Sequence, residues 1–213
     1  MHCVQFAEGL FPREMCAVSW LGSNWYFVIV VAIFVGLYLA VFDVWIVPKG
    51  DAQALSLSPT LSGGDIVLVA RKGSLEGERL VRCAHPASPG TFVAARAYGY
   101  PGSKIAVEAE LVVVDGKRWT PRESCDAPKP LVCASEFGEG EGERYFWRDP
   151  VKPSADMQAV VQPNKLFIVS DQRHAHFDSR DYGPVDLGTC HPIVWRLYGT
   201  DSAGRAANGT TVP

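Results

Sequence analysis

Residues 55–71 read LSLSPTLSGGDIVLVAR, and this stretch decides how the rest of the chain is read. Three serines and a Pro-Thr pair lead into Gly63-Gly64-Asp65, which is turn chemistry, and the apolar run behind it favours a strand over 65–70. Short runs rich in Val, Ile and Phe recur downstream: TFVAARAY at 91–98, KIAVEAELVVVDGKRW at 104–119 and KLFIVSD at 165–171. Each predicts a strand, and Asp115-Gly116 predicts a hairpin turn, because Gly adopts the positive φ that such turns require. Helical periodicity is hard to find over 48–199, so this part is predicted to be a mainly β domain.

Upstream the chemistry differs. Residues 25–47, WYFVIVVAIFVGLYLAVFDVWIV, carry their first charge at Asp43, so the apolar part approaches the roughly 20 residues that span a bilayer. A single transmembrane helix over 25–47 is predicted, behind an N-terminal segment, 1–24. The run lacks the basic head and small-residue exit of a cleaved signal peptide, so it reads as a retained anchor. About 165 residues follow, enough for one domain of ordinary size. The net charge of −3 excludes the overall basic field that nucleic-acid binding needs, and no cofactor or metal is expected. Cys83, Cys125, Cys133 and Cys190 read equally well as free thiols or as disulfides, with CDAPKPLVC able to close a small loop in an oxidising compartment; no pair has zinc-site spacing. Residues 135–150 are acidic and Gly-rich, then aromatic, and their first half reads as a mobile loop. Residues 200–213 are small and polar and read as a flexible tail.

The second dense segment is SDQRHAHFDSRDYGPV at 170–185, which places Asp171, His174, His176, Asp178, Arg180 and Asp181 within a dozen residues of a strand end. Charge pairs that merely pin a turn are the plain alternative to a functional site.

Together, in order and spacing, the two segments resemble the type I signal peptidases, membrane-anchored serine endopeptidases. SLSPTL at 56–61 and GDIVLV at 64–69 match the family's nucleophile box, with Leu57 in place of Met. The last box is matched by Asp171, Arg173, Asp178, Ser179, Arg180, Gly183 and Val185. The resemblance implies a β-rich catalytic domain on the outer face of a bacterial cytoplasmic membrane, with the N-terminus in the cytoplasm. This overrides the count of Lys and Arg near the helix, which favours the opposite orientation. It implies Ser56 as nucleophile, Leu57 and Pro59 beside the substrate, Asp171, Asp178, Ser179 and Arg180 in support, and exported precursors with small residues at the cleavage site as substrates and partners, next to the lipid bilayer.

Two positions depart from the family. Its general base is a lysine, and that register falls on Ala95 in ARAYGYPGS (95–103), where Arg96, Gly99, Pro101 and Gly102 match. A methyl group takes no proton, Arg96 stays charged, and Lys104 lies beyond the turn. The hydroxyl expected two residues before the nucleophile is replaced by Ala54. His176 stands where many relatives carry a second serine, and an imidazole is a base at neutral pH, so His176 is the candidate replacement. Two alternatives stay open: a catalytically degenerate protein that binds a precursor or pilin, and a specialised conjugative-pilin peptidase.

Overall fold

Ile66–Ala70, the strand that closes the opening stretch, is almost wholly buried, with Val67 and Val69 at 0% exposure, so the chain must supply neighbours for both of its faces. A computed structural model shows how it does so; the described residues are 25–77, 79–118, 122–125, 129, 131–137, 143–200 and 208–212. Helix α1 (Trp25–Val41) leads into β1 (Phe42–Ile46), a five-residue helix α2 (Ala52–Ser56) and β2 (Ile66–Ala70). Next come β3 (Leu80–Ala84), β4 (Phe92–Gly99), β5 (Lys104–Glu108), β6 (Leu111–Val114) and β7 (Lys117–Arg118). Then follow β8 (Arg122–Cys125), β9 (Val132–Phe137), β10 (Glu143–Arg148), β11 (Met157–Val160) and β12 (Lys165–Val169). Helix α3 (Ser179–Tyr182), β13 (Val185–Asp186), a 3-10 turn at Leu187–Thr189, β14 (His191–Tyr198) and β15 (Thr210–Thr211) complete the series.

Among the described residues the strands form three sheets. The largest runs β1-β2-β14-β3-β4-β12-β13 with β15 on β14, and two smaller ones run β11-β5-β6-β7 and β10-β9-β8. The period-2 alternation of a strand explains why β4 lies at the centre. Val93, Ala95 and Ala97 join Val81, Cys83, Leu166 and Ile168 in one apolar cluster, while Ala94 joins Leu57, Leu61, Val67 and Leu80 in another. Each fully buried Val or Leu in these clusters stabilises the fold by roughly 1.5–3 kcal/mol. Where β4 hands over to the second sheet, a Cβ on Gly99 would lie 2.7 Å from Ile105 Cδ1 and 2.9 Å from Val161 Cγ2. Only glycine admits that approach. The Asp115-Gly116 hairpin forms as its residues predict: both have positive φ, 52° and 81°, and β6 pairs β7 around them.

The predicted membrane helix over 25–47 needs correction. The helix stops at Val41, 17 residues long with every side chain exposed, and no helix among the described residues is long and apolar enough to cross a membrane. From Phe42 the chain turns to strand, pairing in register with β2 from Phe42↔Ala70 to Ile46↔Ile66. Backbone pairing to a neighbour already in the sheet, together with a 2.7 Å bond from Arg82 to the Asp43 carboxylate, wins over the apolar composition of this segment. The N-terminal segment, 1–24, lies outside the described residues.

Two loop expectations also change. In the segment expected to open as a mobile loop, Ser135–Phe137 pair with Glu143–Tyr145 of β10; 138–142 are outside the described residues. Within the expected flexible tail, Thr210 and Thr211 pair with Arg196 and Trp195 of β14; 201–207 and 213 are outside. Cys83 and Cys190 form a disulfide that links β3 to the residue before β14, and Cys133 is also disulfide-bonded, its cross-strand Cα partner being Cys125.

The Cys83–Cys190 bridge closes a loop of 107 residues in sequence, which restricts the unfolded chain. Cys190→Ala is therefore expected to lower stability by about 2–5 kcal/mol in chemical denaturation, and a reducing agent, which also opens the Cys133 disulfide, should destabilise the wild type by more than it destabilises Cys190→Ala.

Candidate active site

The nucleophile candidate sits at the end of a helix only five residues long. Asp51 starts it, its Oδ1 accepting the Ala54 N–H at 2.8 Å, as an Asp N-cap does. Ser56 ends it at 0% exposure; its Oγ donates to the Gln53 carbonyl at 2.8 Å, and its own carbonyl accepts from the Gln172 N–H at 2.9 Å. The second contact joins the two boxes of the sequence directly. Leu57, read as a substrate contact, lies at 0% exposure in the cluster with Leu61, Val67 and Leu80, and Pro59 is likewise buried behind a cis Ser58–Pro59 bond. Gly63-Gly64-Asp65 closes the turn: Ser62 N–H donates to Asp65 Oδ2 at 3.1 Å, and Asp65 N–H to the Ser62 carbonyl at 3.0 Å. Burial pushes the Asp65 carboxyl up from its ordinary pKa, although the Ser62 N–H and the Arg196 charge oppose this.

Behind the turn lies a buried ionic brace. Arg96 of β4 and Asp171 of the last box are each 1% exposed, and the guanidinium meets the carboxylate twice, Nε to Oδ1 at 2.6 Å and Nη2 to Oδ2 at 3.1 Å. Arg96 Nη2 also donates to Thr60 Oγ1 at 3.1 Å, and the Thr60 hydroxyl donates to Asp171 Oδ2. The planar fork of arginine fits this two-point contact, which a lysine could not reproduce. Asp171 thus holds the turn after Ser56 against β4.

The rest of the last box builds its own frame. Asp178 caps α3 in a reciprocal arrangement with Asp181, accepts the Ser170 N–H at 2.7 Å, and is bound by Arg180, whose Nη1 also donates to the Arg173 carbonyl at 2.9 Å. Ser179 Oγ accepts the Ile168 N–H of β12 at 3.0 Å. Burial raises the Asp178 pKa, but the Arg180 hydrogen bonds and charge, with the Ser170 and Arg180 N–H groups, outweigh it and hold the carboxyl below its ordinary value. His176, Asp178 and Asp181 bring one ligand-type atom each within 4.8 Å of one another, yet the Asp178 oxygens are already taken by Arg180 and N–H donors, so the trio reads as a capped turn.

The predicted pair of Ser56 and His176 is not joined by a hydrogen bond in this structure. The Ser56 hydroxyl faces the Gln53 carbonyl, whereas His176 Nδ1 meets Asp181 Oδ2 at 2.9 Å. Ala95 is fully buried in the cluster with Val81, Cys83 and Ile168, against which Leu75, Tyr100, Phe177, Tyr182 and Leu187 also pack. Ala54 is buried with its N–H directed to Asp51. His174 turns away to Glu110, Nδ1 to Oε1 at 3.4 Å. Sequence reasoning missed Gln53, His85 and Phe177, which line one cavity beside α2. Its only signal was the i, i+3 spacing of Gln53 and Ser56 on a turn too short to show periodicity.

The family described as "Signal peptidase, peptidase S26" matches residues 23–192. The signal peptidase I of Bacillus caldolyticus is 24% identical over 168 residues, covering 78% of this chain and 84% of the relative.

Two measurements test the frame. Arg96→Met should cost about 3–5 kcal/mol in chemical denaturation, because it strands the buried Asp171 carboxylate, and adding Asp171→Leu should recover most of that loss. For Asp178 the sign is that of a lowered native pKa: its contribution is present above the ordinary carboxylate value of about 3.9 and is lost as pH falls through the lower native value. Melting temperature against pH should therefore fall less steeply below about pH 4 in Asp178→Asn than in the wild type.

Proposed function

Because the chain belongs to the signal peptidase family, peptidase S26, we propose that it is a membrane-anchored serine endopeptidase that removes signal peptides from exported precursors after small residues. The observation that carries this reading is the meeting of the two boxes: the Ser56 carbonyl is held by the Gln172 N–H, and the turn behind Ser56 is clamped to Asp171 and Arg96. Such a frame keeps the nucleophile's backbone in place at no reorganisation cost during reaction. Phe92–Ala95 at the start of β4 pair with β3, and among the described residues β12 joins β4 only from Arg96 onward. Of this stretch only Phe92 is open to solvent, Val93, Ala94 and Ala95 being fully buried, so an extended precursor segment could pair with it only if the cover over β4 moved.

In the proposed reaction Ser56 Oγ turns from the Gln53 carbonyl to the scissile carbonyl, and its proton passes to a base. His176 is the candidate, oriented by Asp181 through Nδ1, and a side-chain rotation would present its Nε2. On this reading the uncharged run through α1 holds the chain at the membrane, although α1 itself, at 17 residues, is shorter than a full span, and the N-terminus lies in the cytoplasm. The Cys83–Cys190 and Cys133 disulfides support an oxidising, extracytoplasmic location for the domain.

A second reading is favoured by one specific observation: the Ser56 hydroxyl bonds a backbone carbonyl and no basic nitrogen, and apolar side chains surround Ala95. On that reading the protein binds a precursor or pilin without cutting it. Cleavage of a radiolabelled precursor by the full chain in liposomes separates the two. The peptidase reading expects Ser56→Ala to lose at least about a thousandfold in rate and His176→Ala about 10²–10⁴-fold. Absence of cleavage by the wild type, with retained precursor binding, would establish the non-catalytic reading instead.

A further inference from the structure

Ser56 is 0% exposed, so no substrate atom reaches its hydroxyl while α2 keeps its present position. Its Oγ donates to the Gln53 carbonyl, one turn earlier in the same helix. That helix is poorly built for the place it occupies. Its buried residues are Gln53, Ala54 and Ser56, whereas Leu55, its one large apolar side chain, is 62% exposed. A surface helix ordinarily does the reverse, turning its apolar face inward. Gln53 is 5% exposed and its Nε2 has no hydrogen-bond partner among the described residues. Gln172, whose N–H holds the Ser56 carbonyl, is 6% exposed, and its Oε1 is in the same condition. Two buried polar atoms without partners, with little apolar area buried to offset them, make this position of α2 costly. Five residues are also too few for a helix that persists by itself.

We propose that residues 51–55 form a flap that closes over Ser56 and lifts to admit a substrate. The two ends of the segment are anchored, and the residues between them are not. On one side the Ser56 carbonyl is held by the Gln172 N–H at 2.9 Å, and Leu57 is wholly buried in the cluster with Leu61 and Val67. On the other, Val47 is wholly buried, its N–H donating to the Asp65 carbonyl and its carbonyl accepting the Gly64 N–H, each at 2.9 Å. Gly50 follows, exposed, with φ at 74° and nothing within 4 Å of the place a Cβ would take. Rotation about Gly50 and about the bonds before the Ser56 carbonyl moves the flap and leaves both anchors intact. A cavity of about 270 Å³ beside α2, walled also by His85, Ser88, Thr91, Phe92 and Phe177, gives it room to move. Lifting breaks the bond from Ser56 Oγ to the Gln53 carbonyl, frees the hydroxyl and brings the Gln53 amide to water. The inference rests on the peptidase reading for its purpose and adds a gate to that site.

The test uses the full chain in detergent micelles with its disulfides oxidised, carrying Ser56→Cys together with Cys3→Ser and Cys16→Ser, and follows the reaction of the thiol at 56 with a water-soluble maleimide. Labelling tracks the population of the lifted flap, so the rate should be about ten- to a thousandfold below that of the urea-unfolded chain. It should also depend little on urea below the unfolding transition, because lifting so short a segment exposes little surface. Gln53→Leu removes one unpaired amide from the closed position and should slow labelling about tenfold. Gly50→Ala strains the positive φ of the closed position and should speed labelling about five- to thirtyfold. A rate equal to that of the unfolded chain would mean that Ser56 is open throughout, and a urea dependence equal to that of global unfolding would mean that no flap lifts; either result overturns the proposal, as does an unchanged rate in either variant. Labelling as expected in a chain whose wild type cleaves no precursor would uphold the flap and remove the peptidase reading alone.

Discussion

The buried contact of Arg96 with Asp171, shared by the Thr60 hydroxyl, is the constraint on which the remainder of the site depends. A guanidinium and a carboxylate each 1% exposed are tolerable only if each meets the other in good geometry, so the three segments that carry them have little freedom to move apart. Those segments are β4, the turn after Ser56 and the loop after β12. Once they are joined, the Gln172 N–H is brought to the Ser56 carbonyl, and the position of the nucleophile's backbone follows.

Other contacts tighten the same junction. Arg196 of β14 donates to the Thr60 carbonyl and faces Asp65 at 3.3 Å, so a second arginine holds the turn after Ser56. The last strand of the smaller sheet hooks onto the last box as well: Trp147 N–H donates to the Asp171 carbonyl and Arg173 N–H to the Trp147 carbonyl, at 2.9 and 2.7 Å. The Arg173 guanidinium lies 4.8 Å from the Phe146 ring centre and donates to the Tyr98 hydroxyl. The aromatic half of 135–150 therefore braces the last box. Charge, aromatic faces and backbone pairing act together there, and each is worth more for being shielded from water.

Much of the fold was legible because strands announce themselves locally. Ile66–Ala70, Phe92–Gly99 and Lys165–Val169 read as strands from their β-branched runs, and Asp115-Gly116 named its own hairpin. Phe42–Ile46 misled because an apolar segment next to an apolar helix has the same composition whether it continues the helix or pairs with a sheet. The neighbour that decides, β2, lies twenty-odd residues away. Ser135–Phe137 misled for a similar reason, since a Gly-rich, acidic continuation hides a strand whose partner, Glu143–Tyr145, lies beyond it. Ser56, Asp171, Asp178, Ser179 and Arg180 could be named as candidates from motif order, while the bond of Ser56 to the Gln53 carbonyl could not, because Gln53 belongs to no motif.

Motif order and residue type were enough to identify the family and the mainly β class and to single out Ser56 as the nucleophile candidate, for these rest on short spacings that survive without knowledge of contacts. They also exposed the missing lysine at Ala95. Which atoms meet was decided only in three dimensions. The pairing of Arg96 with Asp171 spans 75 residues, and that of Cys83 with Cys190 spans 107, separations at which no local period carries information. The direction of the Ser56 hydroxyl, the turn of His176 toward Asp181 and the placement of Phe177 against the cluster around Ala95 depend on side-chain packing in a crowded interior, where each neighbour's volume and hydrogen-bonding capacity limits the next.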